Sequence, residues 1–260
     1  MRKKIIVLTT FLCLMMGLTA CGFNKRAVAE INISVAASLV DPINEMIELY
    51  TKEHDIKINV NSGGSGTLKK QISEGAAIGL FFSANEKYVD ELIEEGLVLE
   101  SNKVNPIYNT LVVIKHQEAP AIESLSDLAN SNLRLVIGEV GTVPAGEYAK
   151  QALMNLGIWS DLEPQLIYAK DVTAVKTYVE RGEVDYGIVY KTDAIKLEKS
   201  EVLMSLPSES YQKIVYSLAP IEGYKYEAEV LDFMTFIQSE PGKAILEKYG
   251  FDVHGSFYGD

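Results

Sequence analysis

Short apolar runs alternate with helical patterns from residue 31 onward, and this alternation limits the possible folds more than any other feature of the chain. The strand candidates are 31–37 (INISVAA), 56–60 (IKINV), 78–82 (IGLFF), 110–114 (TLVVI), 133–137 (LRLVI), 165–168 (QLIY), 187–190 (GIVY) and 214–219 (IVYSLA). Between them, apolar residues recur at helical spacing: Ile43, Met46, Ile47 and Tyr50; Ala149, Ala152, Leu153 and Leu156; Val230, Phe233, Met234 and Ile237. Asp41-Pro42 reads as an N-cap followed by proline at the first helical position. Gly157, Gly182 and Gly250 follow helical runs as C-cap candidates. Strands and helices in this order predict an α/β fold whose sheets are parallel or mixed and flanked by helices. In such folds ligands bind beyond the carboxyl ends of strands, beside helix N-termini.

Composition narrows the function. The 260 residues carry 24 Lys+Arg against 36 Asp+Glu, a net charge of −12. Arg2, Lys3 and Lys4 are the only charges ahead of Cys21, so the remainder is more acidic still. General nucleic-acid binding depends on basic side chains displacing counterions, so that class is disfavoured. With 47% hydrophobic and 23% charged residues the chain is globular rather than disordered. Two cysteines and three histidines argue against a disulfide framework or a His/Cys zinc site.

The N-terminus reads as an export signal: a basic start, an apolar run from Ile5 to about Leu18, then small residues. The run is too short for a comfortable membrane span. Leu18-Thr19-Ala20-Cys21 resembles the lipobox of bacterial lipoproteins, which implies cleavage after residue 20 and lipidation of Cys21. Residues 1–20 are then the signal peptide and 21–30 a short tether. The expected location is the outer face of the cell membrane, held by acyl chains. An ordinary cleaved signal with an incidental thiol is the alternative.

Four strand-to-helix junctions carry the chemistry: Ala36-Ala37-Ser38-Leu39, Ser62-Gly63-Gly64-Ser65-Gly66-Thr67, Gly141-Thr142-Val143-Pro144-Ala145-Gly146 and Lys170-Asp171-Val172-Thr173. Helix N-termini present unpaired N–H groups and partial positive charge, so they suit anions. Four of them point to a small anion held by neutral donors, although any single one also reads as an ordinary cap or turn. Rival motifs fit poorly. Gly63-Gly64-Ser65-Gly66-Thr67 misses the G-x-S-x-G nucleophile elbow at its last position, and a triad would need His54, His116 or His254. No phosphate-binding P-loop can be drawn through the same stretch. Lys69 and Lys70 read as one solvated helix face, and Asp90, Glu91, Glu94 and Glu95 as another.

Taken in order, VAASL (35–39), SGGSGTLKKQI (62–72), FFSANEKYVDEL (81–92), NTLVVI (109–114), GEVGTVPAGEYAKQAL (138–153), AKDVTAV (169–175), GIVYKTDA (187–194) and EPGKAILEKYGF (240–251) resemble the molybdate-binding component of bacterial ATP-binding-cassette importers. The resemblance implies a type II periplasmic-binding-protein-like fold. Two lobes, each a mixed sheet flanked by helices, would hold the ligand in the cleft between them. The first lobe would be 31–110 plus 216–260 and the second 111–215, with crossings near 109–114 and 214–219. It implies an oxyanion bound by Ser38, Ser65, Ala145, Val172 and Tyr190, the last at a strand end where packing alone could also explain a tyrosine. It further implies delivery to a membrane permease, monomeric behaviour, no catalysis and no cofactor. Molybdate and tungstate are both expected ligands, being nearly equal in size. A site made only of donors disfavours a protonated phosphate, which needs an acceptor. The alternatives are a lipoprotein for another oxyanion such as sulfate, or a secreted serine hydrolase using Ser65. The chain departs from the family pattern at Gly79, where an acidic residue is common, and at Gly64 and Gly66, where relatives can carry serines.

Overall fold

A computed structural model describes residues 28–129 and 131–253. The export signal, Cys21, the tether up to residue 27 and His254 lie outside the described residues. Ten strands form two five-stranded sheets. The first holds β1 (Ala29–Ala36), β2 (Ile56–Gly63), β3 (Leu80–Ser83), β4 (Val104–Asn109) and β10 (Ile214–Pro220), in the order β2-β1-β3-β10-β4. The second holds β5 (Leu111–His116), β6 (Leu135–Gly138), β7 (Leu166–Ala169), β8 (Tyr186–Tyr190) and β9 (Ser200–Ser205), in the order β7-β6-β8-β5-β9. Three strands in each are parallel, and one antiparallel strand, β10 or β5, separates them from the edge strand. The two sheets therefore share one topology, and both are mixed as expected.

β4 and β9 were not expected from the sequence. Both are edge strands, and their segments VNPIYN and SEVLMS lack an apolar run because one flank faces solvent. β4 runs into β5 through Thr110 alone, so the chain passes between sheets in one residue. The return is made by 206–213, including a 3₁₀ turn at Ser208–Ser210. It is complete earlier than the sequence suggested: Ile214 and Val215, expected in the second lobe, already pair with Asn109 and Tyr108 of β4.

The helices are α1 (Val40–Tyr50), α2 (Ser65–Ser73), α3 (Lys87–Glu94), α4 (Pro144–Asn155), a single turn α5 (Trp159–Leu162), α6 (Val172–Glu180), α7 (Glu227–Gln238) and α8 (Glu240–Lys248). Their apolar faces pack as the periodicity predicts. Ile43, Met46 and Tyr50 of α1 are buried, as are Val230, Phe233, Met234 and Ile237 of α7. Leu156 is the exception and is exposed, because α4 has already ended. Gly157, Gly182 and Gly250 each take a positive φ just past a helix, the conformation that terminates it.

Two local expectations are corrected. A 3₁₀ turn at Ala37–Leu39 leads directly into α1, so Asp41 lies inside the first turn instead of capping it. Lys69 is not on a solvated face: its side chain is only 17% exposed and sits between Glu91 and Glu95 at 3.1 and 2.6 Å, tying α2 to α3. Asp90 of the same acidic run is held by Lys103 at 2.5 Å. At Gly79 the structure supplies a reason for the missing side chain. A Cβ there would lie 2.6 Å from both the Tyr224 ring and Val230, so the space is already filled. Gly79 thus packs against elements of the first sheet's own layer.

Candidate functional site

The parallel strands of the two sheets end on the same interior space. β1 leads to Ser38, β2 to Ser65 at the first residue of α2, and β3 to Ala84. From the other sheet, β6 leads through the 139–143 loop to Ala145 in α4, β7 to Val172 in α6, and β8 ends on Tyr190. Ser38, Ser65, Ala145, Val172 and Tyr190 line one cavity, together with small or apolar residues of the same junctions such as Ala37, Gly63, Gly64, Ala84 and Val143. The cavity is small, about 10 Å³. The structure thus brings together the five residues expected around an oxyanion, on the walls of one small space.

The donors are set by local structure. Ser65 is fully buried, and its Oγ accepts the Ala84 amide at 3.0 Å. That contact uses a lone pair and leaves the hydroxyl proton for an acceptor in the cavity. Ser38 lies 2.9 Å from the Tyr216 hydroxyl, which in turn accepts from Asn109 Nδ2 at 3.3 Å. The Asn109 carbonyl oxygen accepts the Thr110 amide at 2.9 Å, which orients the side-chain amide. With Tyr216 accepting from Asn109, its proton can go to Ser38, and the Ser38 proton is then available to the cavity. Sequence reasoning missed both supporting residues. Tyr216 sits in an apolar strand as any core residue would, and Asn109 ends a strand that was not recognised.

On the opposite wall, α4 starts with Val143 as N-cap and Pro144 at its first position. The Ala145 N–H falls in the first turn, where it has no intrahelical acceptor. α6 is capped by Asp171, whose Oδ1 accepts the Ala174 amide at 2.7 Å; here the bland reading of a junction acid as a cap is correct. Val172 follows as the first helical residue.

Among the described residues, Tyr190 Oη and Asp193 Oδ2 are the buried side-chain oxygens without a hydrogen-bond partner. Burial, reinforced by Tyr216, pushes the Tyr190 phenol well above its ordinary range, so it stays protonated and can donate. Burial does the same to Tyr216. A buried hydroxyl left unpaired carries a desolvation cost that a bound acceptor would remove. None of the cavity-lining residues is charged. A trough of about 530 Å³ adjoins the cavity and shares Ala37 and Ser38 with it; Asp41, Lys170, Asp171, Lys176 and Asp193 border it. Burial raises the Asp193 carboxyl to about 7, against the opposing pull of Lys176.

Neither described histidine serves Ser65. His54 stacks on Tyr50 at 3.9 Å, and the His116 ring lies against Gly182. The described residues contain no group of three or more His, Cys, Asp or Glu side chains placed to hold a metal ion. No described helix is long and apolar enough to cross a membrane.

The family described as bacterial extracellular solute-binding protein matches residues 31–252. The chain belongs to that family. It is 34% identical to the "Putative ABC transporter substrate-binding lipoprotein YvgL" of Bacillus subtilis, over 96% of this chain and 99% of the relative. It is 32% identical to the molybdate-binding protein ModA of Haemophilus influenzae, with the same coverage of each chain. A solved structure, "substrate binding domain of putative molybdenum ABC transporter from Clostridium difficile", shares 34% identity and superposes with a TM-score of 0.66, covering 86% of this chain and 98% of its own. The fold is that of the type II periplasmic binding proteins, as expected, and the family is one of solute binders, not enzymes.

Proposed function

We propose that this protein captures molybdate, or tungstate, outside the membrane and passes it to the permease of an ATP-binding-cassette importer. The ligand sits in the small cavity between two lobes, 31–110 with the C-terminal segment from 214, and 111 to about 213. Ser38, Ser65 and Tyr190 donate hydroxyl protons, and Ala145 and Val172 donate backbone N–H groups. The Tyr190 hydroxyl carries this reading: a buried donor without a partner, on a wall of a small cavity lined by neutral residues. A charge-assisted hydrogen bond contributes about 1.5–3 kcal/mol. Several together reach the roughly 8 kcal/mol that micromolar binding requires. A lining without a carboxylate offers no charged acceptor to a protonated anion, which favours molybdate over hydrogen phosphate. The names and coverage of the relatives support the same ligand class. Lipidation of Cys21 would keep the binding domain near its permease, and a monomer suffices for this role.

Thermal shift with a panel of molybdate, tungstate, sulfate and phosphate tests the proposal, because a ligand stabilises only the form it binds. Molybdate and tungstate should raise Tm at micromolar concentration. Stabilisation by sulfate alone would transfer the site to that anion, and a flat panel would remove the oxyanion function altogether.

A further inference from the structure

One rim of the interlobe cleft is open and the other is closed by direct contacts. The open rim is the 530 Å³ trough. On the closed rim, the Gly66 N–H donates to the Thr142 carbonyl at 2.9 Å, joining the first turn of α2 to the loop before α4. Beside it, the Tyr88 hydroxyl of α3 lies 3.1 Å from the Gly141 carbonyl and 3.1 Å from Glu147 Oε1 of α4. Asn85 Nδ2 reaches Glu147 Oε2 at 3.4 Å, and Lys87 Nζ lies 3.6 Å from Oε1. Tyr88 is buried, and the Glu147 side chain is only 20% exposed. Burial and the Glu147 charge both hold the Tyr88 phenol in its protonated, donating form. None of Asn85, Lys87, Tyr88 and Glu147 lines the cavity.

The two glycines around Ser65 belong to the same contact. Gly64 has φ −64° and ψ 131°, extended backbone open to any residue. What excludes a side chain is space: a Cβ there would lie 2.8 Å from the Thr142 carbonyl oxygen and 3.2 Å from that of Lys170. At Gly66 a Cβ would lie 2.8 Å from Thr142 Cα and 3.0 Å from the Tyr88 hydroxyl. Apart from Val143 Cγ2, 3.1 Å from the Gly64 position, the second-lobe atoms are backbone and cannot rotate aside.

We propose that Tyr88 and Glu147 form a latch that holds the lobes closed over the cavity without touching the ligand, and that Gly64 and Gly66 are glycines because closure brings the facing backbone against them. Both are positioning elements, acting through the closed state on how long a ligand stays. This rests on the oxyanion reading above. Opening the lobes separates the latch, so its loss speeds release more than it slows capture, and affinity changes mostly through the off-rate.

The test combines stopped-flow molybdate binding with the small-angle scattering radius of gyration, with and without molybdate. The proteins are wild type, Tyr88→Phe, Glu147→Gln and Gly66→Ala. Loss of the Tyr88 hydroxyl should raise the off-rate by on the order of tenfold with the on-rate nearly unchanged. Glu147→Gln should act in the same direction but less, since an amide can still accept from Tyr88. Gly66→Ala should leave the ligand-free protein folded, weaken binding at least as much as Tyr88→Phe, and prevent the compaction seen in wild type. Wild-type binding with unchanged off-rates and full compaction in all three variants overturns the latch. If wild type binds no oxyanion, the oxyanion reading fails instead. The latch is then read from the ligand-free radius alone: expansion of Tyr88→Phe over wild type supports it, and identical radii overturn it.

Discussion

In the proposed site the two walls of the cavity offer hydrogen-bond donors built from different parts. The first sheet contributes side-chain hydroxyls, Ser38 and Ser65, each fixed by a neighbour: Tyr216 for one, the Ala84 amide for the other. The second sheet contributes the starts of α4 and α6, where backbone N–H groups are presented whatever the side chain, and one phenol, Tyr190. Substitution can delete the donors of the first wall one at a time. It barely reaches those of the second, where only Tyr190 carries its donor on a side chain. A mutational survey alone would therefore credit the first wall with most of the binding, although both walls contribute donors.

Ser65→Ala is expected to give the largest loss. It removes a proposed donor to the anion and also strands the N–H of Ala84, a buried residue. Molybdate affinity measured by calorimetry should fall about 10- to 100-fold, and ligand-free stability should fall by roughly 1–3 kcal/mol. Unchanged affinity would remove Ser65 from the site. Tyr190→Phe should separate the two quantities. Affinity should drop on the order of tenfold, while ligand-free Tm holds or rises, because the hydroxyl removed has no partner in the unliganded protein. A fall in ligand-free Tm with intact affinity would mark Tyr190 as a packing residue. Ser38→Ala should cost less than either, several-fold, since Ser38 is half-buried and borders the open trough.

A pH-dependent effect lies beside the second wall. Asp193 titrates at about 7 when folded, against 3.8 for the free side chain. Between those values the folded chain holds a proton that the unfolded chain has released, so this group makes stability fall as pH rises from about 4 to about 7. Above that the deficit is constant. Asp193→Asn removes the titration, so its Tm relative to wild type should climb across that window and then level off. A difference independent of pH would mean that Asp193 is solvated.

Much of the architecture was legible because periodicity reports burial directly. The eight expected strands are present, and the apolar faces of α1 and α7 pack where the spacing put them. β4 and β9 were not legible, since edge strands need no continuous apolar run. At the site, junction composition located the four strand-to-helix turns, because capping chemistry and anion binding use the same residues, and the family resemblance picked out Ser38, Ser65, Ala145 and Val172 within them. Tyr190 was placed by resemblance to a known family. Asn109 and Tyr216 were missed, since nothing in an apolar strand or at its end signals that a polar group orients a serine far away in sequence.

By itself the sequence determined the mixed α/β fold, the strand-to-helix junctions and the exclusion of a broad basic surface. Those follow from local pattern and from charge, which act over a few residues or over the whole chain at once. Only the tertiary structure decided that the junctions converge on one cavity, that Tyr190 is left without a partner inside it, and that Gly64 and Gly66 face backbone of the opposite lobe. Convergence depends on how two sheets, the second inserted whole within the chain of the first, face each other. That arrangement is fixed by packing between residues far apart in the chain, which no local pattern encodes.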